Sequence, residues 1–252
     1  MADLTISWVT PVLFLIGFLV STYSSVVGGG ALILVPFFTL IGQSVPAAIG
    51  TMRLSSLFQQ PVCIAAFQKR GKLDWRMGLW AGLWSMPGGY LGARLVLALD
   101  ERFVTAVVVV IMILLLLCSP HFKHATSGKR KKLPMRWFLL ALISLFLGVY
   151  GGFYGAGFST ILMVLFFWLG GLDIIAASGT ASLATFLMAI TASYPFLQAG
   201  IVDWSLLVPL TAGGVLGSWF GVGWAVKYGW RWVHSLLIVL VVASSLKLIL
   251  LL

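Results

Sequence analysis

The chain has 252 residues, of which 61% are hydrophobic and only 9% are charged. A soluble domain carries about 25% charged residues, so the composition excludes a soluble globular protein and indicates an all-α integral membrane protein. A closed β-barrel would need alternating apolar and polar residues. The uninterrupted apolar run from Val104 to Cys118 does not alternate.

The formal net charge of +10 would suit a nucleic-acid-binding protein, but the positions of the charges exclude that reading. Most Lys and Arg residues fall in short connections between apolar segments, as the positive-inside rule expects. The acidic residues fall at predicted segment ends: Asp3, Asp74, Asp100, Glu101, Asp173 and Asp203. We therefore predict contact with the lipid bilayer and no binding of nucleic acid.

In chain order, the first half of the sequence, 1–120, predicts five apolar segments. The first has neither a basic n-region nor a small-residue cleavage site, so we interpret it as a membrane segment rather than a signal peptide. A glycine-rich break separates it from a short apolar piece. The predicted segments are 8–26, 31–42, 46–68, 76–98 and 103–119.

A basic linker, 121–136, leads into a second half, 137–252, that repeats this pattern. A spanning helix needs about 20 residues, so the short second piece of each half predicts a broken or half-spanning helix. We expect about eight to ten crossings in all. The segments of this half are predicted at 137–152, 157–170, 175–197, 205–226 and 231–252.

The two halves align without a gap when the sequence is shifted by 129 residues. Residues 28–104 then share 19 identities in 77 positions with their counterparts. A composition rich in leucine and glycine does not explain shared Gly-Thr and Asp-Trp pairs at one offset, so we predict an internal duplication. The matched pairs are Gly50-Thr51 with Gly179-Thr180 and Asp74-Trp75 with Asp203-Trp204.

The connection 68–76 is basic, whereas its counterpart 198–205 has no basic residue. Because basic connections stay on the cytoplasmic side, this asymmetry favours an inverted repeat over a parallel one. Inverted repeats are common among secondary transporters. Asp74 and Asp203 begin the segments that follow these connections, and we predict that they cap those helices.

Each half contains a glycine-rich break, at Gly28, Gly29 and Gly30 and at Gly155 and Gly157. Broken backbone at membrane depth is tolerated only where it is buried in protein or lines a water-filled cavity, and the N-terminus of a half-helix attracts anions. We predict that these five glycines line a substrate site. The alternative is close helix packing, which we favour for Gly88 and Gly92 and for Gly217 and Gly221.

Arg53 lies well inside the predicted segment 46–68, which contains no acidic residue. A charge at the centre of a bilayer costs at least about 2.5 kcal/mol, and such a residue is usually paired or faces a cavity. Helical spacing places Ser56 and Gln60 on the same face as Arg53. A mobile anion would supply the missing partner, because the flat fork of a guanidinium suits oxyanions. The alternative is that Arg53 snorkels to the interface or binds carbonyl groups freed by the breaks.

The matching stretch of the second half has Ser182 at the position of Arg53 and Thr180 at the position of Thr51. We predict that these three hydroxyl groups belong to the same site as Arg53, near the bilayer midplane and between the two repeats. The site would then combine one cation with several neutral hydrogen-bonding groups.

Nothing in the sequence indicates an enzyme, a cofactor or a bound metal. The histidines, His121, His124 and His234, form no metal-ligand pattern and no Ser/His/Asp set. Cys63 and Cys118 lie in apolar segments without a partner spacing. Because no ATP-binding motif is present, transport would depend on a gradient or on a partner protein.

Several motifs resemble the TauE/SafE family of sulfite exporter-like permeases. They are VVGGGALILVP, the pair AAIGT and AASGT, the pair GKLDW and GIVDW, and GGYLGAR, and the likeness covers nearly the whole chain. The second break reads GAGFST where the first reads GGGALI, so the two breaks need not act alike. The resemblance implies a duplicated fold and a multi-pass permease of the bacterial cytoplasmic membrane. It also implies a small anionic substrate, commonly a sulfur-containing one such as sulfite or an organosulfonate.

We therefore predict a secondary transporter of a small anion, with a binding site between the repeats. The alternative is a non-transporting membrane accessory or scaffold protein. The sequence leaves open a coupling ion and indicates no oligomeric state.

Overall fold

A computed structural model describes residues 2–118 and 136–228, which form nine helices and no strand. Most of the predicted linker 121–136 and the last predicted segment, 231–252, lie outside the described residues. In chain order the helices are α1 (Ala2–Val27), α2 (Ala31–Leu40), α3 (Val45–Gln68), α4 (Trp75–Ala98), α5 (Glu101–Cys118), α6 (Arg136–Phe153), α7 (Phe158–Gly170), α8 (Ile174–Gln198) and α9 (Trp204–Tyr228).

Polar side chains mark where four of the long helices begin. Ser44 and Asp173 accept hydrogen bonds from the backbone amides of the first turns of α3 and α8, at 3.3 and 3.0 Å. Asp74 and Asp203 do the same for α4 and α9, at 3.0 and 3.3 Å, which confirms the predicted capping. Each cap satisfies amide groups that have no partner within the helix.

Three helices of the described part are both long and apolar enough to cross a membrane: α1, with the span Thr10–Val27, α8 and α9. The helices α2 and α7, which follow the glycine breaks, have 10 and 13 residues. At 1.5 Å per residue they extend about 15 and 20 Å, short of the roughly 30 Å of a bilayer core. The prediction of short helices after the breaks is confirmed.

The helices α3 and α8 lie side by side at the centre and run in opposite directions. Gly50, near the start of α3, lies against Phe196, near the end of α8, where a Cβ atom would be 3.1 Å from the ring. Gly179, near the start of α8, lies against Phe67, near the end of α3. The start of each helix therefore packs against the end of the other.

Around this central pair, α1 packs along α9, and α6 packs along α4. Glycines allow the backbones in both pairs to touch. A Cβ atom at Gly92 would fall on the carbonyl oxygen of Val149, and one at Gly217 would fall on the carbonyl oxygen of Phe18. These contacts confirm the packing role predicted for the two Gly-xxx-Gly pairs, because small residues allow helices to approach closely.

We expect Gly92→Ala and Gly217→Ala to destabilise the folded protein by about 1–3 kcal/mol or more, since each added methyl group meets a backbone that cannot move alone. The measurement is thermal unfolding in detergent. Gly223→Ala is the control, because a Cβ atom there meets only the flexible Arg70 side chain, at 3.2 Å. Equal melting temperatures for the three variants would contradict this account of the packing.

One ion pair joins the loop before α4 to the start of α8, with Lys72 Nζ 3.1 Å from Asp173 Oδ2. Burial alone would raise the pKa of the Asp173 carboxyl group. Hydrogen bonds from the Ala176 amide and from Lys72 outweigh burial and hold this pKa below its ordinary value of 3.8. A carboxyl group with a lowered pKa stabilises the folded state above its ordinary pKa, and this contribution disappears as the pH falls below it.

We expect Asp173→Asn to lower the free energy of unfolding by less than about 1 kcal/mol at neutral pH, because the ion pair is exposed. The melting temperature should fall slightly as a result. The difference from the unmodified protein should shrink as the pH falls below the ordinary pKa. Thermal unfolding across a pH series measures this difference. Lys72→Met is the matched variant, because it removes the other member of the ion pair. A difference that stays constant into acid would show that the carboxylate charge is not responsible.

Candidate functional site

A cavity of about 110 Å³ lies where the two glycine breaks meet α3. Its walls come from α1, α2, α3, α7 and α8 and from both breaks, so residues of both halves surround it. The lining residues are Ser21, Ser24, Gly28, Gly29, Gly30, Ala31, Leu34, Ile49, Met52, Arg53, Ser55, Ser56, Gln59, Gln60, Tyr154, Gly155, Phe158, Ser159 and Thr185.

Arg53 is the charged residue of this wall. Its side chain is only 7% exposed, and its Nη2 atom is buried without a hydrogen-bond partner among the described residues. The side chain does not reach the protein surface, so the snorkelling alternative does not describe it. A buried guanidinium nitrogen without a partner is costly, and here it faces a cavity.

Gly155 makes room for this guanidinium. Its φ angle is +78°, in the left-handed region that favours glycine. A Cβ atom at this position would fall on the Arg53 guanidinium. Glycine is thus needed here both for the backbone conformation and for the space that Arg53 occupies.

The two breaks lie against each other. Gly28 has a φ angle of +81°, and a Cβ atom there would lie 2.8 Å from Thr160 Oγ1 at the start of α7. The Thr160 hydroxyl donates to the carbonyl oxygen of Val27, and the Ser178 hydroxyl donates to that of Val26 at 2.5 Å. Hydroxyl groups of the second half therefore satisfy carbonyl groups that α1 leaves free where it ends.

The N-termini of α2 and α7 border the cavity and have no side-chain cap. This contrasts with α3, α4, α8 and α9, whose first turns are capped by Ser or Asp side chains. Some first-turn amides donate to carbonyl groups of the breaks, Leu32 to Gly29 and Phe158 to Gly155, but each N-terminus keeps a partial positive charge that attracts an anion. Arg53 supplies the full positive charge of the cavity wall among the residues described, and the N-termini of α2 and α7 add partial positive charges.

Neutral polar atoms complete the wall. Gln60 Oε1 and the Tyr154 hydroxyl are buried without a hydrogen-bond partner among the described residues. Other polar side chains are already engaged with each other, because Gln59 accepts from Ser21 at 2.8 Å and donates to Ser55 at 2.7 Å. The cavity therefore offers a ligand both donors and an acceptor.

The structure places most of the predicted site residues around this cavity. Arg53, Ser56, Gln60, Gly28, Gly29, Gly30 and Gly155 line it. Gly157 is the N-terminal flanking residue of α7 and does not line the cavity, while Ser182 is buried in α8 and donates to the Ser178 carbonyl at 3.2 Å.

Thr51 and Thr180 also lie away from the cavity, and each holds a loop of the opposite half. Thr180 Oγ1 accepts from the backbone amide of Asp74 at 3.0 Å, and Thr51 Oγ1 accepts from that of Asp203 at 3.3 Å. The 129-residue offset matches Thr51 with Thr180 and Asp74 with Asp203, so each contact is the counterpart of the other. The matched Gly-Thr and Asp-Trp pairs thus meet across the two halves.

Sequence reasoning missed Ser21, Ser24, Ser55, Gln59 and Tyr154 as lining residues. A signal for four of them was present, since Ser21 and Ser24, and Ser55 and Gln59, are polar pairs at helical spacing within apolar segments. Their partnership across α1 and α3 required the tertiary structure. Within the described residues, no group of three His, Cys, Asp or Glu side chains could hold a metal ion.

The sequence matches the family described as "Sulfite exporter TauE/SafE" over residues 13–248. The chain belongs to the TauE/SafE family. This is a family of membrane transporters, and its description agrees with the apolar helices of the described residues. The match confirms the resemblance seen in the motifs.

Relatives with similar sequences carry names of the same kind. A "probable membrane transporter protein" of Haemophilus influenzae is 24% identical over 241 residues, covering 94% of this chain and 93% of the relative. A "probable membrane transporter protein ORF9" of Sinorhizobium sp is 25% identical over 240 residues, covering 94% and 91%. YdhB of Bacillus subtilis, also named a probable membrane transporter protein, is 21% identical over 214 residues, covering 83% and 86%. No solved structure matches the chain significantly.

We expect the cavity to admit water, which thiol labelling can measure. In a background with Cys63 and Cys118 replaced by alanine, Ser56→Cys should react with a small charged thiol reagent at least about tenfold faster than Ser193→Cys, because reaction needs an accessible thiolate. Ser193 is 1% exposed and lies off the cavity wall, so it is the matched control. Equally slow labelling at both positions would indicate a sealed core and favour the accessory or scaffold alternative.

Proposed function

We propose that this TauE/SafE protein is a secondary permease of a small anion, bound in the cavity beside Arg53. The observation that carries the proposal is the Arg53 guanidinium, which is buried, faces a cavity and has a nitrogen without a partner. No acidic residue lines that cavity among the residues described. An anion would provide the missing partner.

The magnitudes favour Arg53 as the principal anion ligand. Leaving a buried charge unpaired costs several kcal/mol, so an anion that enters removes a penalty of that size. A helix N-terminus contributes about 0.3–1 kcal/mol, and up to about 2 kcal/mol when partly buried. The ends of α2 and α7 would then orient the anion and add to its binding, while Arg53 supplies the larger share.

The proposal includes an inverted duplication of two membrane repeats, 1–120 and 137–252, joined by the basic linker 121–136. Helices α3 and α8, which the offset matches, run in opposite directions and pack against each other. The Thr51–Asp203 and Thr180–Asp74 contacts are exchanged by the same offset. An inverted pair with its site at the repeat interface and bordered by broken helices is a recurrent plan of secondary transporters.

We further propose a sulfur-containing oxyanion, such as sulfite or an organosulfonate, as the substrate. Support comes from the family description, which names sulfite export, and from the planar guanidinium, which suits oxyanions with two adjacent oxygens. The cavity of about 110 Å³ restricts the ligand to a small one. We place the protein in the bacterial cytoplasmic membrane as a multi-pass protein, in keeping with the bacterial relatives.

We expect Arg53→Ala to reduce anion flux about 30-fold or more, because truncating one member of a buried charge pair costs about 2–5 kcal/mol. Arg53→Lys should keep part of the flux, since it retains the charge but loses the planar fork. The measurement is uptake of labelled sulfite and methanesulfonate into proteoliposomes, with and without a proton gradient.

Arg76→Ala is the matched control, because Arg76 is exposed at the start of α4 and lies off the cavity wall. Its flux should equal that of the unmodified protein. Thermal unfolding of each variant in detergent separates loss of transport from loss of fold. Saturable flux that is normal in folded Arg53→Ala would refute the site, and the absence of flux for any anion in the unmodified protein would refute the permease.

A further inference from the structure

We infer that the cavity selects singly charged anions over doubly charged ones, and that the uncharged side chain of Gln60 helps to set this preference. The inference rests on the proposed anion-permease function and specifies the charge of its substrate. It follows from a count of the charges in the wall and from the acceptor that Gln60 presents.

The wall of the cavity carries one full charge. Among its described residues, Arg53 is the sole member of the group Lys, Arg, His, Asp and Glu. Along α3, Arg53 lies eight residues from Val45 and 15 from Gln68, or about 12 and 22 Å along the helix axis. Lys72 and Asp74, in the loop after α3, therefore follow an end of the helix that is about 22 Å along its axis from Arg53, and neither residue lines the cavity. Nothing within the wall balances a second negative charge.

A singly charged anion neutralises Arg53 and leaves the occupied cavity with no net charge. A doubly charged anion would leave one uncompensated negative charge in a low-dielectric interior, and the cost of burying such a charge is large. The N-termini of α2 and α7 attract anions, but each end of a helix dipole contributes only a small part of that cost. The charge balance therefore favours one negative charge over two.

Gln60 points to the same conclusion independently. Gln60 lines the cavity, and its Oε1 atom is buried without a hydrogen-bond partner among the described residues. A carbonyl oxygen repels additional negative charge and accepts from a donor, such as the O–H group of a protonated oxyanion or a water molecule that accompanies the ligand. A cavity wall that contains both an unpartnered acceptor and an unpartnered donor suits a ligand that both accepts and donates hydrogen bonds.

The test compares methanesulfonate, which carries one charge, with sulfate, which carries two. Both are small tetrahedral sulfur oxyanions, so charge is the main difference between them. Flux of each labelled anion is measured in proteoliposomes without a proton gradient. We expect the unmodified protein to prefer methanesulfonate at least about tenfold, a difference of about 1.4 kcal/mol.

Sulfite gives a second measurement without any substitution. It changes between its singly and doubly charged forms near neutral pH, whereas methanesulfonate keeps one charge throughout. We expect sulfite flux, divided by methanesulfonate flux, to rise when both sides of the membrane are moved from mildly alkaline to mildly acidic pH. A ratio that is constant or falls on acidification would overturn the inference.

Gln60→Lys adds a second positive charge to the wall and should raise sulfate flux relative to methanesulfonate at least about tenfold. Damage to the fold cannot produce such a gain. Gln60→Met has a similar shape but no carbonyl acceptor and no charge, so it should weaken the preference for methanesulfonate without reversing it. A complete loss of the preference in Gln60→Met would show that the charge of the wall contributes nothing to selection, and an unchanged preference would show that Gln60 contributes nothing; either result would overturn part of the inference.

The outcomes separate this inference from the proposal beneath it. Equal flux of the two anions, or a preference for sulfate, in the unmodified protein would overturn charge selection and leave the permease intact. No flux of either anion, from protein shown to be folded, would overturn both. Preference for methanesulfonate together with the gain of sulfate flux in Gln60→Lys would support both.

Discussion

The central physical constraint on this protein is the burial of one guanidinium group in an apolar helical bundle. Arg53 sits inside α3 at 7% exposure with an unpartnered nitrogen, and the surrounding elements accommodate it. Gly155 leaves space where any side chain would collide, and the helix ends beside the cavity have no caps of their own. Each of these features reduces local packing or hydrogen bonding around the charge. These are the features from which we propose a ligand site beside Arg53.

Backbone contact between helices provides the rigid frame for this site. Glycines in α4 and α9 bring these helices against the carbonyl groups of α6 and α1. In lipid, such close packing supplies much of the attraction that the hydrophobic effect supplies in water. Most of the glycines at the breaks act differently, because Gly28, Gly29, Gly155 and Gly157 have positive φ angles where one helix ends and the next begins. One residue type thus serves close packing in the long helices and left-handed backbone conformations at the cavity.

The sequence predicted the helices well where local signals were strong. The ends of α3, α4, α8 and α9 agree with the predicted segments to within two residues, since Ser44, Asp74, Asp173 and Asp203 mark where they begin. The short helices after the breaks were also expected, because the apolar pieces 31–42 and 157–170 are shorter than a spanning helix.

The site was predicted in part, because a linear pattern cannot show which helices face each other. Arg53, Ser56 and Gln60 share a wall, as their spacing indicated. Thr51 and Thr180 bind loop amides instead of lining the cavity, a role that depends on the antiparallel pairing of α3 and α8. The hydrogen bond between Ser21 and Gln59 likewise depends on the position of α1 beside α3.

The two threonine contacts have a consequence for the energetics of movement. One fastens the start of α3 to the loop before α9, and the other fastens the start of α8 to the loop before α4. Both use the same chemical groups, a threonine hydroxyl and an aspartate amide. The two ends of the bundle are therefore closed by nearly the same interaction, so these threonine contacts favour the opening of neither end over the other.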